Sequence, residues 1–302
     1  MTAQANMPLP RGFRLDRYRI EHPLSRGGFS LVYFARDEAG APVAIKEYLP
    51  ATLCQRQQGA TLPHVAPEHE PAFRYGMKCF FEEGRTLARL RHPNVVRVLN
   101  FFRANGTVYM VMQFEPGRTL SHCIRHQRAQ LSDAFLRALF VRLLNGLREV
   151  HAYRLLHLDI KPANIYLRTD GTPVLLDFGA ARQTLALEQP MLKPMYTPGF
   201  ASPEHYGDHS TLGPWSDIYS VGASLYACIT GRAPPRADHR RSDDFPLMRP
   251  YLDRYSRQLL ETVSCSLRLD PLERPQSVYS LQKMLALVPA AAAPEPHIHF
   301  AI

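Results

Sequence analysis

The segment HLDIKPANI (157–165), with DFG at 177–179, holds two carboxylates, a lysine and an asparagine at close spacing. Asn164 and Asp177 offer hard oxygen atoms of the kind that bind Mg2+-sized cations, and Asp159 a second carboxylate. Lys161, two residues after Asp159, offers a compact positive charge. Together these groups suit a reaction that holds a metal–nucleotide complex beside a hydroxyl. Seven positions (His157, Asp159, Lys161, Asn164, Asp177, Phe178 and Gly179) stand at fixed offsets. Each has a chance frequency of roughly one in twenty from average composition, so their joint occurrence by coincidence is negligible.

Such groups need a scaffold, and the chain divides into two characters. Over 17–113 the pattern is mostly strands. RYRIEHPLS, SLVYFARD and APVAIKEYL are short alternating runs, and VLNFFRA and TVYMVMQF flank Asn105-Gly106, a dipeptide favoured in tight hairpins. One helical pattern, FRYGMKCFFEEGRTLARLRH, interrupts them, with Phe80, Leu87 and Leu90 near one face. From 114 the pattern turns helical. Ser132 is an N-cap for a long helix in which Phe135, Leu139, Leu143, Leu147 and Val150 recur at about 3.6 residues. PWSDIYSVGASLYACIT, YSRQLLETVSCSLRL and QSVYSLQKMLALV read as three further helices. Residues 1–16 read as a flexible arm, and the Pro/Ala-rich tail 289–302 as disordered.

At 302 residues and 45% hydrophobic, the chain has ample core-forming material. Its net charge of +9 comes from dispersed arginines and forms no nucleic-acid motif, so a solvated basic face is expected and no specific nucleic acid. There is no run of eighteen apolar residues, so no membrane span is expected, and MTAQANMPLPRGF does not read as a secretory signal. Five cysteines without CxxC spacing fit thiols in a reducing cytosol, so the expected location is cytoplasmic.

With VAIK at 43–46 and SPE at 202–204 added to HLDIKPANI and DFG, the chain resembles eukaryotic-like Ser/Thr protein kinases over about residues 17–288. KEYLP after the VAIK strand resembles a bacterial subgroup. The resemblance implies a two-lobed α+β kinase fold. Its small β-rich N-lobe (17–113) would carry one main helix, and its larger C-lobe (114–288) would be mainly helical. It implies ATP and Mg2+ as cofactors, with Mn2+ as an alternative ion, and protein substrates bearing Ser or Thr. A regulatory partner is a further expectation.

Residue by residue, LSRGGFSLVY (24–33) is similar to the glycine-rich phosphate loop, which places Leu24, Ser25, Gly27 and Gly28 at the nucleotide. Ser25 and Ser30 stand where the family has glycine. Lys46 would contact the α- and β-phosphates, oriented by Glu83, with Glu82 as the fallback. Met112 would flank the adenine pocket, and Gln113, Phe114 and Glu115 would meet the base through backbone groups. Val32, Ala44 and Tyr166 are its candidate apolar neighbours. In the C-lobe, Asp159 would be the catalytic base, Lys161 would stabilise the transferring phosphoryl group, and Asn164 and Asp177 would hold the metal. Thr197 would line the substrate site, Glu204 would pair with Arg274, and Asp217 would anchor the catalytic loop. Leu158 replaces the arginine that in the family binds an activation-segment phosphate, so activity independent of phosphorylation over 180–200 is expected. The alternative readings are a pseudokinase scaffold and a small-molecule phosphotransferase of related fold. The long activation segment and the Glu204 and Arg274 positions disfavour the second.

Overall fold

The structure is a computed structural model, and it describes residues 6–178, 196–207, 211–243 and 249–286. Residues 179–195 of the expected activation segment (177–204), which include Thr184, and the tail expected to be disordered lie outside the described residues. The chain forms two compact units.

The first unit, built from 6–91 and Val96–Glu115, is organised by a six-stranded antiparallel sheet. Its strands are β1 (Arg14–Leu15), β2 (Tyr18–Arg26), β3 (Ser30–Arg36), β4 (Pro42–Tyr48), β7 (Val98–Ala104) and β8 (Thr107–Gln113). They run in the order β1-β2-β3-β4-β8-β7. Asn105 and Gly106 carry φ of 48° and 66°, the paired positive angles that make this dipeptide a hairpin turn. A small hairpin, β5 (Cys54–Gln55) with β6 (His64–Val65), precedes helix α1 (Glu70–Leu87).

Helix α1 packs on the sheet through aromatic contacts. Phe81 meets Phe101 edge-on at 4.8 Å between ring centroids, and Tyr48 lies 5.4 Å from Phe73 and 5.9 Å from Phe80. A Cβ at Gly76 would sit 1.9 Å from the Tyr48 hydroxyl, so glycine is what lets Tyr48 pass under the helix. The helix ends earlier than the apolar pattern predicts. Leu90 instead closes a turn, its N–H bonding the Leu87 carbonyl at 3.0 Å, as the residues leading into His92-Pro93 leave the helical region.

The expectation of a flexible arm over 1–16 is corrected from Asn6 onward. Asn6 and Leu9 are 6% and 2% exposed, and β1 extends the sheet. Hydrogen bonds to residues 33, 49, 54 and 56 hold this stretch in place, which repays the entropy of ordering it.

The second unit contains residues 92–95 and the described residues from 116 onward, so its boundary departs from the expected division at 113/114. Residues 92–95 belong to it because Asn94 Nδ2 donates to the Pro173 carbonyl at 2.7 Å, while Leu175 N–H donates to the Asn94 carbonyl at 2.9 Å. Strands β9 (Gly117–Thr119), β10 (Ile165–Arg168) and β11 (Pro173–Leu175) form a small antiparallel sheet in the order β11-β10-β9.

The helices of this unit are α2 (Leu120–Gln127), α3 (Asp133–Ala152), α4 (Pro214–Thr230), α5 (Arg257–Ser266) and α6 (Val278–Ala286). Ser132 caps α3 by accepting from Phe135 N–H at 3.2 Å. The α3 residues Leu136, Leu139, Phe140, Leu143, Leu144 and Leu147 are all buried. Helix α4 is buried nearly all round, as a central helix of a large unit should be. Ser220 and Ser224 donate to the carbonyls four residues back, while Ser216 donates out of the helix to Glu204 Oε1 at 2.9 Å.

Candidate active site

In the first unit the ladder of β2, β3, β4 and β8 brings the expected nucleotide residues into register. Ser25 pairs with Val32, Val32 with Lys46 and Lys46 with Met110. Ala44 stands opposite Met112, and Val43 opposite Gln113. The remaining predicted residues of this group lie at the ends of those strands: Leu24 in β2, and Phe114 and Glu115 directly after β8.

Lys46 is 6% exposed, with its Nζ 5.6 Å from the centre of the Phe80 ring. Phe80 lies one turn before Glu83 on α1, and Glu83 is also 6% exposed. Glu82, by contrast, is paired with Arg85 at 3.4 Å in a largely solvated contact. Burial thus separates the two candidate glutamates and keeps Glu83 as the partner to test.

Gly27 and Gly28 lie in the turn between β2 and β3, where Gly27 N–H donates to the Ser30 carbonyl at 2.9 Å. A Cβ at Gly28 would meet no atom within 4 Å, so the fold itself does not require glycine there. Glycine there leaves the backbone open to close approach by a bound group such as a phosphate.

In the second unit the catalytic-loop residues form a closed hydrogen-bonded cluster. Lys161 Nζ lies 2.7 Å from Asp159 Oδ2 and 2.7 Å from Thr197 Oγ1. The Thr197 hydroxyl donates to Asp159 Oδ1 at 2.9 Å, and Asn164 Nδ2 donates to Asp159 Oδ2 at 2.9 Å. Because Asn164 uses its nitrogen on Asp159, its oxygen is the atom suited to a cation. Leu176 N–H bonds the Asn164 carbonyl at 2.8 Å, which ties the approach to Asp177 to the catalytic loop. Asp177 has φ of 57°, a left-handed conformation uncommon outside glycine and held here by its surroundings. An amide oxygen and a carboxylate are the donor set that Mg2+ prefers, so this pair fits the ion the sequence implies. Tyr166, expected near the purine, sits in β10 opposite Thr119 and Val174.

Two supports fix this loop. Asp217, wholly buried on α4, accepts from His157 N–H at 2.9 Å and Leu158 N–H at 2.7 Å, as expected of an anchor for the loop backbone. It also bonds His151 Nε2 at 2.8 Å. Burial would raise the Asp217 carboxyl, but the His151 hydrogen bond and charge, with the His157 contacts, outweigh it and hold the group below its ordinary value. The ring of His157 lies 4.4 Å from Phe178, and its Nε2 contacts the Leu176 carbonyl at 3.0 Å. Leu158 is buried at 1% exposure with φ of 60°, an apolar residue in a strained position.

Glu204 and Arg274 form the expected buried pair, a two-pronged contact with both bonds at 2.9 Å. Burial would raise Glu204, but Arg274 and the Ser216 hydroxyl hold its carboxyl below the usual range. The sequence reading missed two contributors. His151 stands near the end of a helix whose buried residues are mostly apolar, so it reads as surface. The buried pair Glu47–Arg56, at 2.5 Å, joins the strand read at APVAIKEYL to a residue beyond it, and no sequence pattern couples the two.

The chain belongs to the protein kinase domain family, whose model matches residues 18–285. The solved structure "PpkA-294 apo form" is similar to it, with a TM-score of 0.82 and 35% identity, covering 92% of this chain and 99% of that one. The fold is that of protein kinases, with an antiparallel-sheet N-lobe and a helical C-lobe. Serine/threonine-protein kinase C of Synechocystis is 28% identical, over 89% of this chain and 49% of the relative. "Probable serine/threonine-protein kinase PkwA" of Thermomonospora curvata is 31% identical, over 74% of this chain and 28% of the relative. The chain thus spans about half the length of the first of these relatives and less of the second. No helix among the described residues is long and apolar enough to cross a membrane.

Proposed function

We propose that this chain transfers the γ-phosphoryl group of ATP to serine and threonine hydroxyls of protein substrates, with Asp159 as the catalytic base. The observation that carries this reading is the contact of the Thr197 hydroxyl with Asp159 Oδ1 at 2.9 Å. That oxygen already accepts a hydrogen bond from an alcohol, the interaction a substrate hydroxyl would make. Lys161 and Asn164 hold the other carboxylate oxygen, so one face of Asp159 is fixed and the other receives the proton. As the substrate oxygen attacks the γ-phosphorus in line, its proton passes to Asp159, the bond to the β–γ bridging oxygen breaks and ADP leaves. Lys161 would offset charge on the transferring group. A divalent ion, when held by Asn164 and Asp177, would neutralise charge on the phosphates. On the first unit, buried Lys46 and Glu83 and the open space at Gly28 support ATP as the donor.

The reading extends to regulation. Leu158 presents a buried apolar side chain where a phosphate-binding arginine would stand, which supports activity without a phosphorylated activation segment. A cytoplasmic location is part of the proposal, supported by five cysteines that remain thiols. Nucleotide binding tests the site. The chain should bind a non-hydrolysable ATP analogue in a Mg2+-dependent manner, and Asp177→Ala should abolish that dependence. Binding that ignores both Mg2+ and the Asp177→Ala change would overturn the metal assignment.

A further inference from the structure

The turn that carries Gly27 and Gly28 is not a free hairpin. The β3–β4 ladder continues past its last strand pair, Ser30 with Tyr48. Leu49 N–H donates to the Phe29 carbonyl at 2.9 Å, and Ala51 N–H donates to the Gly28 carbonyl at 2.8 Å. The chain from Leu49 to Ala51 has left the sheet; Leu49 is buried, and the Pro50 carbonyl accepts from the N–H groups of Leu53 and Cys54, both at 3.0 Å.

The side chain of Asn6 adds bonds from far along the chain to this turn. Its Nδ2 donates to the carbonyls of Leu49 at 3.2 Å and Cys54 at 3.3 Å, and its Oδ1 accepts from Arg56 N–H at 2.6 Å. One carboxamide thus bridges Leu49, Cys54 and Arg56, using both its donor and acceptor sides. The socket beneath it is fully buried. Arg56 grips Glu47, the residue after Lys46, through Nη1 at 2.5 Å and Nη2 at 2.7 Å. Tyr33 and Tyr109 donate to the same carboxylate at 2.6 Å and 2.7 Å. Arg56 Nε also donates to the Met7 carbonyl at 2.7 Å, and Met7 N–H donates to the Arg56 carbonyl at 3.1 Å. Leu9 N–H reaches the Tyr33 hydroxyl at 3.2 Å. Every charged atom in the socket has a partner, as burial requires.

We propose that Asn6 is a positioning residue for the phosphate-binding loop: the N-terminal stretch 6–9, seated on the Glu47–Arg56 socket, sets where Gly28 and Phe29 lie by way of Leu49 and Ala51. The role of that loop in holding phosphates rests on the function proposed above. The link from Asn6 to the loop does not. Pre-ordering of a binding loop lowers the cost of ordering it when ligand arrives, so the effect falls on ligands that touch the loop.

The test is Asn6→Ala in the full chain, with two measurements. Amide hydrogen exchange at Leu49 and Ala51 should accelerate, because the segment that carries these donors loses its bonds to Asn6. The dissociation constant for a Mg2+-loaded non-hydrolysable ATP analogue should rise roughly fivefold, about the worth of one hydrogen bond. The constant for adenosine, which has no phosphates, should not change. Unchanged exchange at Leu49 and Ala51 would overturn the proposal. So would an equal loss for analogue and adenosine together with a lower melting temperature, the signature of a merely structural residue. If the unsubstituted chain binds no analogue at all, the proposed function fails, and the exchange measurement alone still decides the link from Asn6 to the loop.

Discussion

Replacing Arg274 by alanine should be among the most damaging single changes outside the catalytic loop. Its guanidinium makes two bonds to Glu204 at 2.9 Å and others to the carbonyls of Arg268 at 2.7 Å and Leu269 at 2.9 Å. It also lies over the Tyr219 ring, 5.0 Å from its centroid. Glu204 and Arg274 are 4% and 0% exposed at their side chains, so the alanine variant leaves a buried carboxylate without its cation, held by the Ser216 hydroxyl and its own backbone N–H. Breaking a buried pair in this way costs ~3–5 kcal/mol. By the scaling for large domains, that lowers the melting temperature by about 6 °C or more.

Glu204→Gln/Arg274→Met, which removes both charges, should lose less than Arg274→Ala alone, because no charge is then stranded. The pH dependence has a definite sign. Glu204 is held below its ordinary value in the folded chain, so its contribution is present above the unfolded carboxylate range and is lost as pH falls through the folded value. The stability gap between the parent chain and Glu204→Gln should therefore close below about pH 4. Urea denaturation followed by circular dichroism measures each case. A cost under ~1 kcal/mol for Arg274→Ala, the range of exposed pairs, would refute the argument that burial makes this pair matter.

Other substitutions test other parts of the account. Gly76→Ala should destabilise by ~1–3 kcal/mol, since its Cβ would overlap the Tyr48 hydroxyl; thermal melting checks it. Ser132→Ala should cost about 1 kcal/mol through loss of the α3 cap, read from the urea midpoint. Thr184→Ala should retain most phosphate transfer, as Leu158 offers no receptor for a phosphate; loss of transfer in a folded variant would reverse that expectation.

How far the sequence reaches depends on how local the signal is. Helix α4 starts and stops where its pattern predicts, because Pro214 opens it and Gly231, at φ of 79°, closes it. The Asn105-Gly106 turn is equally local. Helix α2 was not read, for it has eight residues and only two buried ones, Leu120 and Cys123, too few to show a period. The seated arm and Arg56 were missed for a different reason. Their burial is achieved by polar partners distant in sequence, such as Asn6 with Leu49 and Arg56 with Met7, and no pattern of apolar residues announces it. The candidate site was legible because its chemistry demands fixed residue types over short spans, as in HLDIKPAN. The supports that hold it, such as His151 against Asp217, are made across 66 positions and emerge only in three dimensions.

The central claim is phosphate transfer by the Asp159 cluster, and the direct measurement is transfer of labelled phosphate from Mg-ATP to the chain itself and to a generic basic protein. The account predicts label on serine or threonine that disappears in Asp159→Ala while the variant stays folded. Label that persists in Asp159→Ala, or no label from a chain that binds Mg-ATP, would contradict it, the latter in favour of a scaffold that binds nucleotide without transferring it.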